Sequence, residues 1–246
     1  MKIRIYQLII LMSMTLLSQA QNQTSQEIIF KKGKIIEIAF ATVEGGKEEQ
    51  LGKEYFQKIL PISAKYNGKM VASFEVVAIT GGEVNPQMIA IFEWQKTSDR
   101  EKLLKDKEAL KLFPVRDDAI TSLKLAYYTV DEDVTISFRS DKTYEFFNAW
   151  LTPKSETSLP KYFELSSKPK EKYGPPKFLV NLKPYVEYLK GEPYMLDPHM
   201  AGIVEWNNVA AFYGLQADPE FKKTTYLLDE SVSRLDMIQA KVNISQ

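Results

Sequence analysis

A phrase that occurs twice constrains this chain more than any other feature. Residues 86–94 read Pro-Gln-Met-Ile-Ala-Ile-Phe-Glu-Trp and residues 198–206 read Pro-His-Met-Ala-Gly-Ile-Val-Glu-Trp, an offset of 112 (198 − 86). The same offset carries Leu123 onto Leu235 and Val130 onto Val242. Self-similarity at one long offset marks a duplicated structural unit. Any fold proposed for the chain must therefore be built from two copies of one motif.

The first copy reads clearly. Residues 34–43 alternate as a strand, with Ile36, Ile38, Phe40 and Thr42 on one face and Ile35, Glu37, Ala39, Ala41 and Val43 on the other. Leu51, Tyr55, Ile59, Ile62 and Tyr66 fall at helical spacing, with Pro61 expected to kink that helix. Residues 69–79 and the repeated phrase give two more strands. Ser98 with Glu101 fits a capping box opening a second helix, broken at Pro114, and residues 123–130 form a fourth strand. The order strand, helix, strand, strand, helix, strand is the ferredoxin-like arrangement, an antiparallel sheet with both helices on one face.

In the second copy, residues 134–139 are expected to be the first strand, and Tyr144, Phe147, Trp150 and Leu151 at helical spacing to open the helix. Phe138 then aligns with Phe40 at an offset of 98, whereas Lys172-Tyr173-Gly174 aligns with Lys65-Tyr66-Asn67-Gly68 at about 107. The difference places an insertion of about nine residues within 152–169, a Pro-, Ser- and Lys-rich stretch read as a surface loop or lid. Residues 177–185, the repeated phrase, helices after Asn208 and Asp218, and residues 235–242 complete the unit. Only Asp131-Glu132-Asp133 separates the copies. Two sheets so joined should cover each other's bare faces, giving an α+β fold in which tandem ferredoxin-like units close into one pseudo-dimeric barrel.

The amino terminus predicts export. Lys2 and Arg4 precede an apolar run from Ile5 to Leu17, and Ser18-Gln19-Ala20 supplies small residues at the cleavage site. That is a secretory signal peptide over residues 1–20, removed near Ala20 and leaving a periplasmic or secreted protein. The domain reading is then signal peptide 1–20, flexible leader 21–33, repeat one 34–130 and repeat two 134–243. No cysteine occurs, so thiol chemistry and disulfides are excluded. With 32 basic and 32 acidic side chains and no basic run, nucleic acid is not an expected partner. One pseudo-dimer per chain is expected, with further self-association left open.

The Lys-Tyr-Asn-Gly and Lys-Tyr-Gly turns at Lys65 and Lys172, the Ile-Phe-Glu-Trp and Ile-Val-Glu-Trp strand ends, and Asp-Pro-Glu-Phe at Asp218 resemble the dimeric α+β barrel superfamily. Within it the chain is most similar to a small bacterial family of unknown function, and more distantly to antibiotic-biosynthesis monooxygenases. The resemblance covers nearly all of the chain after residue 20. It implies a cleft between sheet and helices that holds a small organic molecule, a polyketide or a haem, and it implies oxidation of the ligand, without any cofactor in some members. Its motifs are turns and strand ends, which speak to fold more than to activity.

Taken from the residues alone, the polar strand faces give the leading site. If the apolar faces meet the helices, then Glu37, Glu75, Thr135, Ser137, Arg139, Asn181 and Lys183 face the barrel interior and could line a polar cavity. The plainer reading pairs Glu37 and Glu75 with Arg139 and Lys183 across the two halves, as buried charges require. Tyr66 and Tyr173 are candidates for lining a cleft. His199, the single histidine, is the default base or haem ligand, although a turn residue is the plainer reading. Glu205 shares its strand face roughly 20 Å away, too far for a dyad. No metal-binding cluster is expected, and no cofactor is predicted beyond the haem alternative. The leading function is binding of a small organic ligand in the barrel or in the sheet–helix cleft. The alternatives are a cofactor-independent monooxygenase-like or haem-handling enzyme, and a structural module if the barrel is filled with side chains.

Overall fold

The computed structural model describes residues 25–185 and 194–244; the predicted signal peptide lies outside them. Among the described residues no helix is long and apolar enough to cross a membrane.

The first unit comprises β2 (Ile35–Val43), helix α1, β3 (Gly68–Gly81), β4 (Met88–Trp94), α2 (Thr97–Lys105), α3 (Lys107–Ala119) and β5 (Ile120–Thr129). Helix α1 is α-helical over Glu48–Gln50, π-helical over Leu51–Phe56 and α-helical again over Gln57–Lys65, and Pro61 sits inside this last part. Its buried residues include Leu51, Tyr55, Ile59 and Ile62, the apolar face expected from their spacing. Lys96, with no side-chain bond, stands at the cap of α2, so Ser98 forms no capping box. Asp106 caps α3 instead, its carboxylate accepting from the Glu108 and Ala109 N–H groups.

The second unit comprises β7 (Thr143–Leu151), α4 (Ser155–Glu171), β8 (Lys177–Pro184), β9 (Met200–Trp206), α5 (Val209–Ala217), α6 (Pro219–Lys222), α7 (Thr225–Ser231) and β10 (Val232–Val242). The eight unit strands close in the order β10-β3-β4-β2-β5-β8-β9-β7. Each half keeps the ferredoxin-like order, and the halves join where β10 pairs with β3 and β5 with β8. One chain forms the pseudo-dimeric barrel.

Three expectations are corrected. The first strand of the second unit is β7, in the segment read as helical, whereas Val134–Arg139 is a strand (β6) that pairs with β1 (Ser25–Phe30) in a separate two-stranded sheet. Part of the expected flexible leader is thus ordered as β1. The reason lies in burial. Seven consecutive residues of β7, Thr143 to Ala149, are covered on both faces, which erases the alternation that reveals a strand. The predicted insertion disappears with the same correction. Residues 155–171 form α4, the counterpart of α1, and the Tyr55-Phe56 pair recurs as Tyr162-Phe163 at the 107 offset.

The barrel interior is solid. Ile36, Ile38, Phe40, Phe74, Tyr128, Tyr144, Phe146 and Ile238 share one buried cluster with Ile28, Phe30, Ile136 and Phe138 of the β1–β6 ribbon. The Phe74 ring meets those of Phe138 and Phe146 edge to face at 5.0 and 4.9 Å, and Phe138 meets Tyr144 at 4.7 Å. Inside this core the Tyr128 hydroxyl bonds the side-chain oxygen of Asn148. The apolar strand faces therefore point inward and the mixed faces point at the helices, the reverse of the expectation for the polar residues.

Candidate functional site

Because the strand faces are reversed, the chemistry lies between sheet and helices. In the first half, Ile35 pairs with Trp94 across β2 and β4, and Glu37 follows two residues later. In the second, Thr143 pairs with Trp206 across β7 and β9, and Glu145 follows two residues later. Pseudo-symmetry thus places a glutamate beneath a tryptophan in each half, facing the helices.

The two glutamates have different company. Glu37 Oε2 accepts from Trp94 Nε1 at 2.8 Å and from Arg100 Nε at 2.9 Å, and the Arg100 guanidinium lies 5.6 Å from the Trp94 ring centroid. Both partners of this ion pair are about 95% shielded from solvent (side-chain exposure 6% each). With Tyr55, Phe56, Phe113 and Arg116 also packed in, the first cleft keeps only ≈ 70 Å³ of space.

At the 112 offset Arg100 becomes Phe212, and Glu145 has no arginine. Its Oε2 accepts from Gln239 Nε2 at 3.3 Å. Burial pushes its carboxyl up to about 7, opposed by the Gln239 bond, the positive charge of Lys170 and the nearby Trp206 indole. Trp206 Nε1 itself closes no hydrogen bond of normal geometry. Lys170 stands where Ser63 stands in α1, its ammonium 4.8 Å from the Tyr162 ring centroid and 5.4 Å from that of Phe163. Burial brings this amine down to about 8, with Glu145 pulling in the opposite direction.

These groups line a cavity of ≈ 610 Å³ walled by Phe147, Tyr162, Phe178, Trp206, Phe212 and Phe221 among others. Phe163 and Phe178 also line it and remain 53% and 55% exposed, which places them at the opening. An aromatic cavity of this size with a few polar groups has the make-up of a small-molecule site.

The sequence-nominated residues are dispersed. Asn181 lines the large cavity, and Glu37 lines the closed one. Thr135 and Ser137 are exposed on β6, outside the barrel, and Glu75 is exposed on β3. Arg139 makes a two-point ion pair with Asp141, at 2.8 and 3.0 Å, and Lys183 reaches Asp131 at 3.5 Å. The expected pairing of Glu37 and Glu75 with these two cations is not formed. Tyr66 and Tyr173 donate to Asp106 and Asp218 at 2.8 and 3.1 Å, bracing the turn against the cap of α3 in one half and of α6 in the other. Glu145, Lys170 and Phe212 were missed. The Tyr-Phe repeat at offset 107 was the signal that could have found them, since it aligns α4 with α1 and moves the first strand of the second copy onto β7, where the pairing with the repeated phrase sets Glu145 opposite Glu37 at an offset of 108.

His199 is exposed, and its Nδ1 accepts from the Leu151 N–H at 2.9 Å. It lines neither cavity. The haem that the fold family implies would find no imidazole among the cavity residues, so the donor set does not fit a histidine-held haem. Among the described residues no group of three His, Cys, Asp or Glu could hold a metal ion.

No protein-family model matches the chain, and no curated protein does. Solved structures do. An anthrone oxidase-like protein superposes with a TM-score of 0.55 at 16% identity, covering 89% of this chain and 96% of its own. A mutant chlorite dismutase from Candidatus Nitrospira defluvii gives a TM-score of 0.51 at 8% identity, covering 86% of this chain and 92% of its own. At such identities the likeness is one of fold: the dimeric α+β barrel, here closed within one polypeptide.

Proposed function

We propose that the chain binds a small, largely apolar organic molecule in the cleft of its carboxy-terminal unit, with Glu145 exchanging a proton with the guest. The observation that carries this reading is the contrast at one pseudo-symmetric position: a glutamate answered by Arg100 where the cleft is filled, and a glutamate without an arginine where it is hollow. A carboxyl held at about 7 by an apolar surrounding is present in both protonation states near neutrality, the condition under which proton transfer works best. If the amino-terminal segment is a signal peptide, this binding takes place outside the cytoplasm.

The test is a titration with 2-naphthamide, an apolar aromatic probe, followed by intrinsic tryptophan fluorescence. Saturable binding at one site per chain is expected, and Phe212→Arg should abolish it by filling the cavity and neutralising Glu145. The absence of saturable binding would remove the proposal.

An enzymatic reading draws support from Glu145 as well. In it Glu145 takes a proton from an acidic C–H of the guest, leaving a carbanion that dioxygen oxidises without a cofactor. For anthrone the balanced reaction is C14H10O + O2 → C14H8O2 + H2O. Incubation of the protein with anthrone in air should yield anthraquinone faster than buffer does, and Glu145→Gln should remove the excess rate. An excess rate that survives in the variant would dismiss Glu145 as the base.

A further inference from the structure

Trp206 and Lys170 bring two hydrogen-bond donors to the wall of the large cavity beside one carboxylate, Glu145. Trp206 Nε1 is buried, and its approach to Glu145 closes no hydrogen bond of normal geometry, whereas Trp94 Nε1 in the other half is answered by Glu37. Lys170 is held over two aromatic rings, and Glu145 is the carboxylate that acts on its charge. Both donors lie close enough to Glu145 to influence its ionisation, so the three groups converge on one region of the wall. Glu145 in its neutral form is a donor too. A guest without an acceptor would leave the indole N–H with no well-formed hydrogen bond, which for a buried donor costs about 1–3 kcal/mol.

We infer that the guest is an organic anion, an apolar aromatic or aliphatic body with a carboxylate head that accepts from Trp206 Nε1, faces Lys170, and is accompanied by a proton on Glu145. This rests on the binding function proposed above and names the class of its ligand. The proton follows from charge. A carboxylate guest beside an ionised Glu145 would be repelled, so the complex forms with Glu145 neutral, and proton and guest enter together.

The sign of the pH dependence follows. Affinity is highest where Glu145 is protonated and Lys170 charged. It falls as pH rises through about 7, where Glu145 ionises, and again above about 8, where Lys170 loses its proton. The phenol of Tyr162, pushed up by burial and by Glu145 and Asp229, stays neutral across that range.

The experiment compares 2-naphthoate with 2-naphthamide, which has nearly the same shape without the charge, by calorimetry on the full mature chain. Near pH 6 the acid should bind about tenfold tighter or more, and that preference should be lost by about pH 8.5, where Glu145 is ionised and Lys170 largely neutral. Lys170→Met should bring acid and amide to equal affinity and Lys170→Arg should retain the preference, with far-UV circular dichroism showing that each variant is folded. At neutral pH, buffers of different ionisation enthalpy should report net proton uptake with the acid. Equal affinity for acid and amide near pH 6, or a preference that survives in Lys170→Met, overturns the inference while leaving the binding function standing. If neither probe binds, both fall.

Discussion

The two halves of this molecule began as copies, and their clefts have parted. Both keep a glutamate under a tryptophan, a tyrosine–phenylalanine pair on the covering helix, and a tyrosine bonded to the aspartate that caps a later helix. One changed position separates them most. Arg100 closes the first cleft around Glu37, and Phe212, its counterpart, leaves Glu145 facing ≈ 610 Å³ of cavity. The lesson concerns function in duplicated proteins. Shared residues maintain the fold, and the unshared partner of a shared residue decides which copy keeps a working site.

The sharpest way to break this comparison is to make the same substitution in both halves. Glu37→Gln should destabilise the protein by about 3 kcal/mol, because it leaves the Arg100 guanidinium buried beside a neutral amide. Chemical denaturation near neutral pH measures it, and a loss below about 1 kcal/mol would mean that the first cleft is not held shut by its ion pair.

Glu145→Gln should do the opposite at pH 8, raising stability by about 3 kcal/mol. The folded carboxyl lies at about 7 against an ordinary 4.5, so between those values the folded chain binds more protons than the unfolded one. Stability is full below about 4.5 and falls as pH rises through about 7. The advantage of the variant should accordingly vanish near pH 4.5. An advantage independent of pH would show that ionisation of Glu145 is not its source.

Smaller effects sharpen the picture. Phe178→Ala, at the cavity opening, should weaken 2-naphthamide binding roughly fivefold, the value of one aromatic contact of about 1 kcal/mol, with little change in fold stability. His199→Ala should leave the binding constant unchanged, since that ring lines no cavity. Tyr66→Phe and Tyr173→Phe should lower the thermal midpoint by the same small amount, because both hydroxyls make the same brace.

The barrel itself was legible because duplication leaves a long-range trace that survives local ambiguity: the phrases ending at Trp94 and Trp206 fixed the third strand of each half. Local pattern failed where burial is two-sided. Tyr144, Phe147, Trp150 and Leu151 sit at helical spacing by coincidence in a strand whose faces meet both the barrel core and the helices. Val134–Arg139 alternates cleanly because one of its faces, with Thr135 and Ser137, is exposed, and so it imitated the missing strand. The inverted reading of the barrel interior has the same origin. Phe40 and Glu37 are both buried, so side-chain polarity could not tell the inner face from the helix face. The site followed the error, since Glu145 becomes equivalent to Glu37 only after β7 is recognised as the counterpart of β2.

The most direct test of the asymmetry is to diffuse 6-bromo-2-naphthamide into crystals of the protein and locate bromine by its anomalous signal. One peak per chain is expected, between α4 and the sheet, in the cavity walled by Phe147, Tyr162 and Trp206. Peaks of equal height in both clefts, or a peak inside the barrel, would contradict the account.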